Sequence, residues 1–278
     1  MSALNVRIGH SPDPDDAFLF YAMTQGKIPL EGFAVTHRLM GIEELNGLAL
    51  RGELEMTAIS LHAYAYCGAR YLLLTAGASV GEGYGPVVVA REPMDLATLK
   101  RTPVAVPGRL TTAALLLQLA AGPVKVKILP FDKILPAVKA GEVEAGVLIH
   151  EGQITYADEG LTKVMDLGQW WKEKTGLPVP LGVNVVRRDL GGEARKLARL
   201  FKQSLDYAFA HRAEALEYAQ RFGRGLDSSR TDRFVGMYVN RWALDCRPDG
   251  AVAMQRLLDW AAQEKLIPAS LPLEFVEG

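Results

Sequence analysis

Apolar residues alternate with polar ones at the start of the chain, where Leu4, Val6 and Ile8 interleave with Asn5, Arg7 and Gly9. That period of two predicts a strand. Phe18, Leu19, Ala22 and Met23 then recur at helical spacing until Gly26. Phe33, Val35 and Leu39 predict a second strand, and Ile42, Leu45, Leu48 and Ala49 a helix closed by Gly52. A short strand over Met56 to Ile59 runs into Ser60, and another spans Tyr71 to Ala76. A glycine-rich loop from Gly77 to Pro86 separates it from the apolar run Val87 to Ala90. Strands alternating with helices in this way predict an α/β chain with a mostly parallel sheet.

The same alternation restarts near Asp95, with strands at Val104 to Val106, Val124 to Ile128 and Ala145 to Ile149. Helices carry Ala114, Leu115, Leu117 and Leu119, then Ile134, Leu135 and Val138, the latter closed by Gly141. Trp170 and Trp171 belong on a short helix, and Leu181 to Val186 reads as a strand leading out of this unit. From Glu193 onward the stripes are helical: Leu197, Leu200, Phe201 and Leu205; Phe234, Val235, Tyr238 and Trp242; Ala253, Leu257 and Trp260. Their aromatic residues read as core. A tail of this kind predicts packing back on the first unit. The expected layout is two lobes, residues 1–92 with 188–278 and residues 93–187, crossed near 90–93 and 185–189, with element ends acting as hinges.

Composition narrows the class. Hydrophobic residues make up 49% and charged ones 23%, which is globular, and a net charge of −1 offers no footprint for nucleic acid. No apolar run is long enough to span a bilayer, and no basic segment followed by an apolar one opens the chain. Two cysteines, Cys67 and Cys246, suggest neither a disulfide framework nor a zinc site. A cytoplasmic setting is expected.

Candidate chemistry concentrates where strands end. Between the first strand and helix stands Ser11-Pro-Asp-Pro-Asp-Asp16, in which Asp15 or Asp16 can cap the helix. A cap accounts for one acid of three, and strand-to-helix corners of α/β sheets are where ligands bind. His150 ends the strand Gly146 to Ile149, where an imidazole suits proton abstraction near neutral pH; the plain alternative is a histidine bonded to a nearby carbonyl. Gly108-Arg-Leu-Thr-Thr112 turns into a helix whose free N–H groups attract carboxylate or phosphate. Ser60 holds the equivalent place in the first unit, so two helix N-termini are expected to face one another across the cleft. Phosphate-loop, GxSxG and HExxH motifs are absent, and Gly81-x-Gly-x-Gly85 lacks dinucleotide-loop spacing.

Ser11-Pro-Asp-Pro-Asp-Asp-Ala-Phe18, the loop Gly81 to Ala90, Pro107-Gly-x-x-Thr-Thr-Ala113, Val147-Leu-Ile-His-Glu-Gly152 and Pro180-Leu-Gly182 stand in an order that resembles the 1,4-dihydroxy-6-naphthoate synthases of the futalosine route to menaquinone. The resemblance covers essentially the whole chain. It implies a two-lobed, periplasmic-binding-protein-like (type II) fold with a central cleft. It also implies a lyase that converts cyclic dehypoxanthinylfutalosine to 1,4-dihydroxy-6-naphthoate and releases the sugar-derived fragment as dihydroxyacetone. By the same resemblance His150 is the base, and Asp16, Ser60, Thr111, Thr112 and Ala113 line the substrate site. Many relatives carry Cys-Pro-Asn where this chain has Asp13-Pro14-Asp15, and the sequence assigns no role to the two extra charges. No cofactor or metal is demanded, and the expected partner is a small carboxylate substrate rather than nucleic acid or membrane. A homodimer is compatible with the sequence, which does not settle the oligomeric state. The alternative readings are a chorismate dehydratase of the same pathway and a non-catalytic binder of small carboxylates.

Overall fold

The structure is a computed structural model that describes residues 3–276. Its first strands are β1 (Leu4–His10), β2 (Phe33–Leu39), β3 (Met56–Ser60), β4 (Tyr71–Leu74), β5 (Ser79–Gly81) and β6 (Val87–Ala90). The remainder are β7 (Val104–Val106), β8 (Val126–Ile128), β9 (Ala145–Leu148), β10 (Thr162–Asp166), β11 (Val179–Arg187) and β12 (Phe275–Val276). One sheet runs in the order β12-β4-β11-β3-β1-β2, with β5 also paired to β11; the other runs β10-β6-β9-β7-β8.

Neither sheet is mostly parallel, contrary to the expectation from alternation. Parallel pairs join β1 to β2 and β3, β4 to β12, and β7 to β8 and β9. Strand β11 returns antiparallel between β3 and β4, while β6 runs antiparallel to both β9 and β10. Those two long-range strands carry the chain between the sheets, and local periodicity is the same for either direction of pairing. Sheet membership therefore changes between Gly81 and Val87 and again between Asp166 and Val179, earlier in the chain than the crossings read from the sequence. Strands β5, β10 and β12 were not anticipated; each is too short, at five residues or fewer, to carry a clear period of two.

The helical tail packs on the first sheet, as its stripes required. Helix Gly192–Ala210 buries Leu197, Leu200, Phe201 and Leu205 against Phe18, Phe20 and Met23. A buried hydroxyl ties this contact: Ser204 Oγ donates to the Leu19 carbonyl (3.0 Å) and accepts from the Met23 N–H (3.3 Å). Trp171 is fully buried, with its indole N–H donating to the Pro178 carbonyl at 3.0 Å. The predicted first helix is two short ones, Pro14–Leu19 and Tyr21–Thr24, broken at Phe20. Among the described residues no helix is long and apolar enough to cross a membrane.

Candidate active site

Strand β1 delivers Ser11 to a turn stiffened by Pro12 and Pro14, and Pro14 opens the helix. Asp13 holds the N-cap position in extended conformation, yet its carboxylate does not cap the helix. Asp15 and Asp16 lie inside the first turn, so neither is the cap expected from the sequence. Asp16 instead turns back and accepts the Ser11 N–H through Oδ2 at 2.7 Å. All three acids are buried, Asp13 completely. Burial pushes Asp15 well above the usual carboxylate range, and the nearby charges of Asp16 and Asp13 push it further. Burial likewise raises Asp16 to about 6, against the lowering effect of the Ser11 N–H. His10 stacks on Phe20, whose ring His37 meets edge-on, and burial lowers His10 to about 3.

Asp13 finds its partners far away in the chain. Arg224 Nη1 lies 2.6 Å from Asp13 Oδ1, and His150 Nδ1 lies 3.2 Å from Asp13 Oδ2. The same guanidinium reaches both oxygens of Glu151 (3.0 and 3.1 Å) and donates to the Pro12 carbonyl (3.0 Å). Phe131 packs under both groups, 4.7 Å from the Arg224 guanidinium and 4.7 Å from the His150 ring. His150 follows β9 with φ of +55°, a left-handed conformation uncommon outside glycine. Gln153, turned so that its amide meets matching partners, accepts the His150 N–H (3.2 Å) and donates to the Gly85 carbonyl (2.8 Å). Among the described residues His150 Nε2 and both Asp13 carboxylate oxygens are buried without a hydrogen bond of full geometry.

The opposite wall is built from helix starts. Thr111 caps helix Thr112–Ala121 by accepting from Ala114 N–H (3.3 Å), and it donates to the Gly108 carbonyl (2.9 Å). Thr112 Oγ1 donates to the Leu181 carbonyl (2.6 Å) and accepts from the His62 N–H (3.2 Å). The two helix N-termini expected to face one another across a cleft are thus in direct contact, joined through this hydroxyl. Ser60 does not cap its helix; its Oγ accepts from Asn46 Nδ2 (3.2 Å), whose Oδ1 takes the Ser60 N–H (2.9 Å). Among the described residues no acceptor is recorded for the N–H groups of Thr112 and Ala113, which suits them to an anionic group.

One pocket brings Asp16, Ser60, Thr111, Thr112, Ala113 and His150 together. It adds Asp15, Asn184, Gln153 and Tyr238, which sequence reasoning missed. Asn184 was legible as the one polar residue in an apolar strand; its Nδ2 donates to the Gly77 carbonyl (2.9 Å) and its Oδ1 is buried unpaired. Tyr238 sat in a stripe read as core, but its hydroxyl reaches Gln153 at 2.6 Å. Asp13, Asp15 and His150 bring potential ligand atoms within 4.8 Å of one another. The Arg224 guanidinium already supplies positive charge at that cluster.

The two lobes meet on both sides of the pocket. Glu43, on helix Ile42–Arg51, accepts the N–H groups of Arg109 (2.7 Å) and Leu110 (3.1 Å) from the other lobe. On the far side Arg224 holds Glu151, Tyr238 holds Gln153, and Arg230 pairs with Asp158 at 2.7 Å. This is a closed cleft.

A family model described as menaquinone biosynthesis matches residues 6–263. Proteins named 1,4-dihydroxy-6-naphthoate synthase from Thermus thermophilus and Streptomyces coelicolor are 45% identical over 277 residues and 37% identical over 279. The alignments cover 96% and 98% of this chain, and 98% of each relative. The crystal structure of a protein from Archaeoglobus fulgidus superposes with a TM-score of 0.91 at 47% identity, covering 95% of this chain and 98% of the other. An alkanesulfonate-binding protein from Xanthomonas axonopodis shares the fold alone (TM-score 0.71, 16% identity, 98% and 97% covered). The two-lobed periplasmic-binding-protein-like architecture implied by the sequence is the one observed.

Proposed function

The chain belongs to the menaquinone biosynthesis family, and from that premise we propose that it converts cyclic dehypoxanthinylfutalosine to 1,4-dihydroxy-6-naphthoate, with His150 as the general base. The observation that carries this reading is the buried Nε2 of His150, unpartnered among the described residues, in the wall of a pocket that also holds the two helix N–H groups. The substrate carboxylate binds the N–H groups of Thr112 and Ala113, where the positive end of a ten-residue helix favours negative charge. Ser60 and Asp16 offer further polar contacts from the first lobe.

His150 removes a proton from the bound substrate, and the electron pair left behind drives the cleavage that frees dihydroxyacetone. Formation of the aromatic naphthoate supplies the driving force. The bridges made by Glu43, Arg224 and Tyr238 close the cleft around the substrate, exclude water and align the base. A lyase acting in the cytoplasm on a small carboxylate, with lobes dividing where sheet membership changes, between Gly81 and Val87 and between Asp166 and Val179, belongs to the same proposal.

Incubation of the purified protein with the cyclic substrate, and with chorismate in parallel, tests it. The naphthoate is expected from the first alone. His150→Ala lowers turnover by at least about 10²-fold while leaving the melting transition in place. Undiminished turnover in that variant overturns the assignment of the base, and consumption of chorismate overturns the substrate.

A further inference from the structure

We propose that Asp13 is the positioning residue of His150: its carboxylate, 3.2 Å from Nδ1, holds the imidazole proton on that nitrogen and so leaves Nε2 unprotonated, with Arg224 as the carboxylate's counter-charge. The inference rests on the reading of His150 as a base and adds how that base is prepared. Asp13 is wholly buried, and a buried carboxylate needs a compensating charge. Each of its oxygens lies at ion-pair distance from one partner, Oδ1 from the Arg224 guanidinium (2.6 Å) and Oδ2 from the His150 Nδ1 (3.2 Å), although neither oxygen meets full hydrogen-bond geometry. A neutral imidazole carries one proton, and the nitrogen that carries it is set by the hydrogen bond the other nitrogen makes or lacks. A carboxylate can only accept, so Asp13 draws that proton to Nδ1.

The three groups come from both lobes. Asp13 sits on the turn after β1 and Arg224 in the helical tail, both on the side of the first sheet, whereas His150 follows β9 of the second. The contact therefore spans the two lobes. Other ionisable groups face the ring as well: Asp15, whose carboxylate belongs to the same cluster, Asp16, and the neighbouring Glu151, itself held by Arg224.

Asp13→Asn tests the idea because it preserves shape, removes the negative charge and presents a donor to His150 Nδ1 in place of an acceptor. Arg224 offers only donors, so the amide oxygen must face it and the amide NH₂ must face His150. His150 Nδ1 then accepts, and the proton moves to Nε2. The equivalent change beside the histidine of the serine-protease triad costs about 10⁴-fold in kcat. Here kcat is expected to fall on the order of 10²- to 10⁴-fold with KM changed by less than about threefold. Independently of any substrate, nitrogen NMR of histidine-labelled protein reads the tautomer, expected as Nδ1–H in the parent and Nε2–H in Asp13→Asn. An Nε2–H tautomer in the parent overturns the inference without recourse to a variant. So does a D13N enzyme with unchanged kcat where His150→Ala is inactive. A parent that shows Nδ1–H but does not convert the cyclic substrate refutes the proposed function and leaves the positioning intact.

Discussion

Asp16→Asn offers a quantitative test of how much folding free energy the pocket wall holds in reserve. Burial raises the Asp16 carboxyl from its ordinary 3.8 to about 6. Between those two values the folded protein holds a proton that the unfolded chain has released, so stability falls as pH rises through this window. At 1.36 kcal/mol per pH unit the loss amounts to roughly 3 kcal/mol, complete above pH 6 and absent below about pH 4. The asparagine amide carries no charge, and its oxygen can keep the 2.7 Å bond from the Ser11 N–H. It also relieves Asp15, which the Asp16 charge pushes upward. Urea denaturation at a series of pH values from 4 to 8 reads the effect directly. Asp16→Asn should be more stable than the parent by about 2–4 kcal/mol at pH 7 and nearly equal to it at pH 4. Its kcat/KM should nevertheless fall, because stability and function compete at sites that bury charge. Parallel stability curves for parent and variant between pH 4 and 6 would refute the reasoning, since burial would then impose no cost on this acid.

Two further perturbations probe the closed cleft and its floor. A Cβ at Gly108 would collide with the Glu43 carboxylate, so Gly108→Ala should displace the group that holds the Arg109 and Leu110 N–H groups. Hydrogen exchange at those two amides should accelerate as much in Gly108→Ala as in Glu43→Ala, with no additional effect in the double variant; simple additivity would dismiss the latch. Gly77 has φ of +77°, and a Cβ there would come within 2.5 Å of the Phe201 ring and 2.7 Å of Asn184 Nδ2. Gly77→Ala should cost about 2–4 kcal/mol in chemical denaturation, combining backbone strain with overpacking, and a loss below about 1 kcal/mol would show that the ring gives way freely.

Much of the secondary structure was legible because its causes are local. The alternation of Leu4, Val6 and Ile8, the glycine ends at Gly52 and Gly141, and the capping Thr111 all act within a few residues of themselves. Residues such as His150, Ser60 and Thr112 stood out because they end strands or begin helices, which is where α/β folds place ligands. Direction of pairing was not legible: β11 and β6 carry the same apolar pattern whether they run parallel or antiparallel to their neighbours. Asp13 was the residue the sequence could not place, since nothing near it in the chain explains a third acid. Only the tertiary structure brings Arg224 to one of its oxygens and His150 to the other. The chain by itself determined which positions could bear chemistry. Folding decided which of them touch, because the low dielectric of a buried site gives a carboxylate, a guanidinium and an imidazole from three separate elements an interaction that no single element contains.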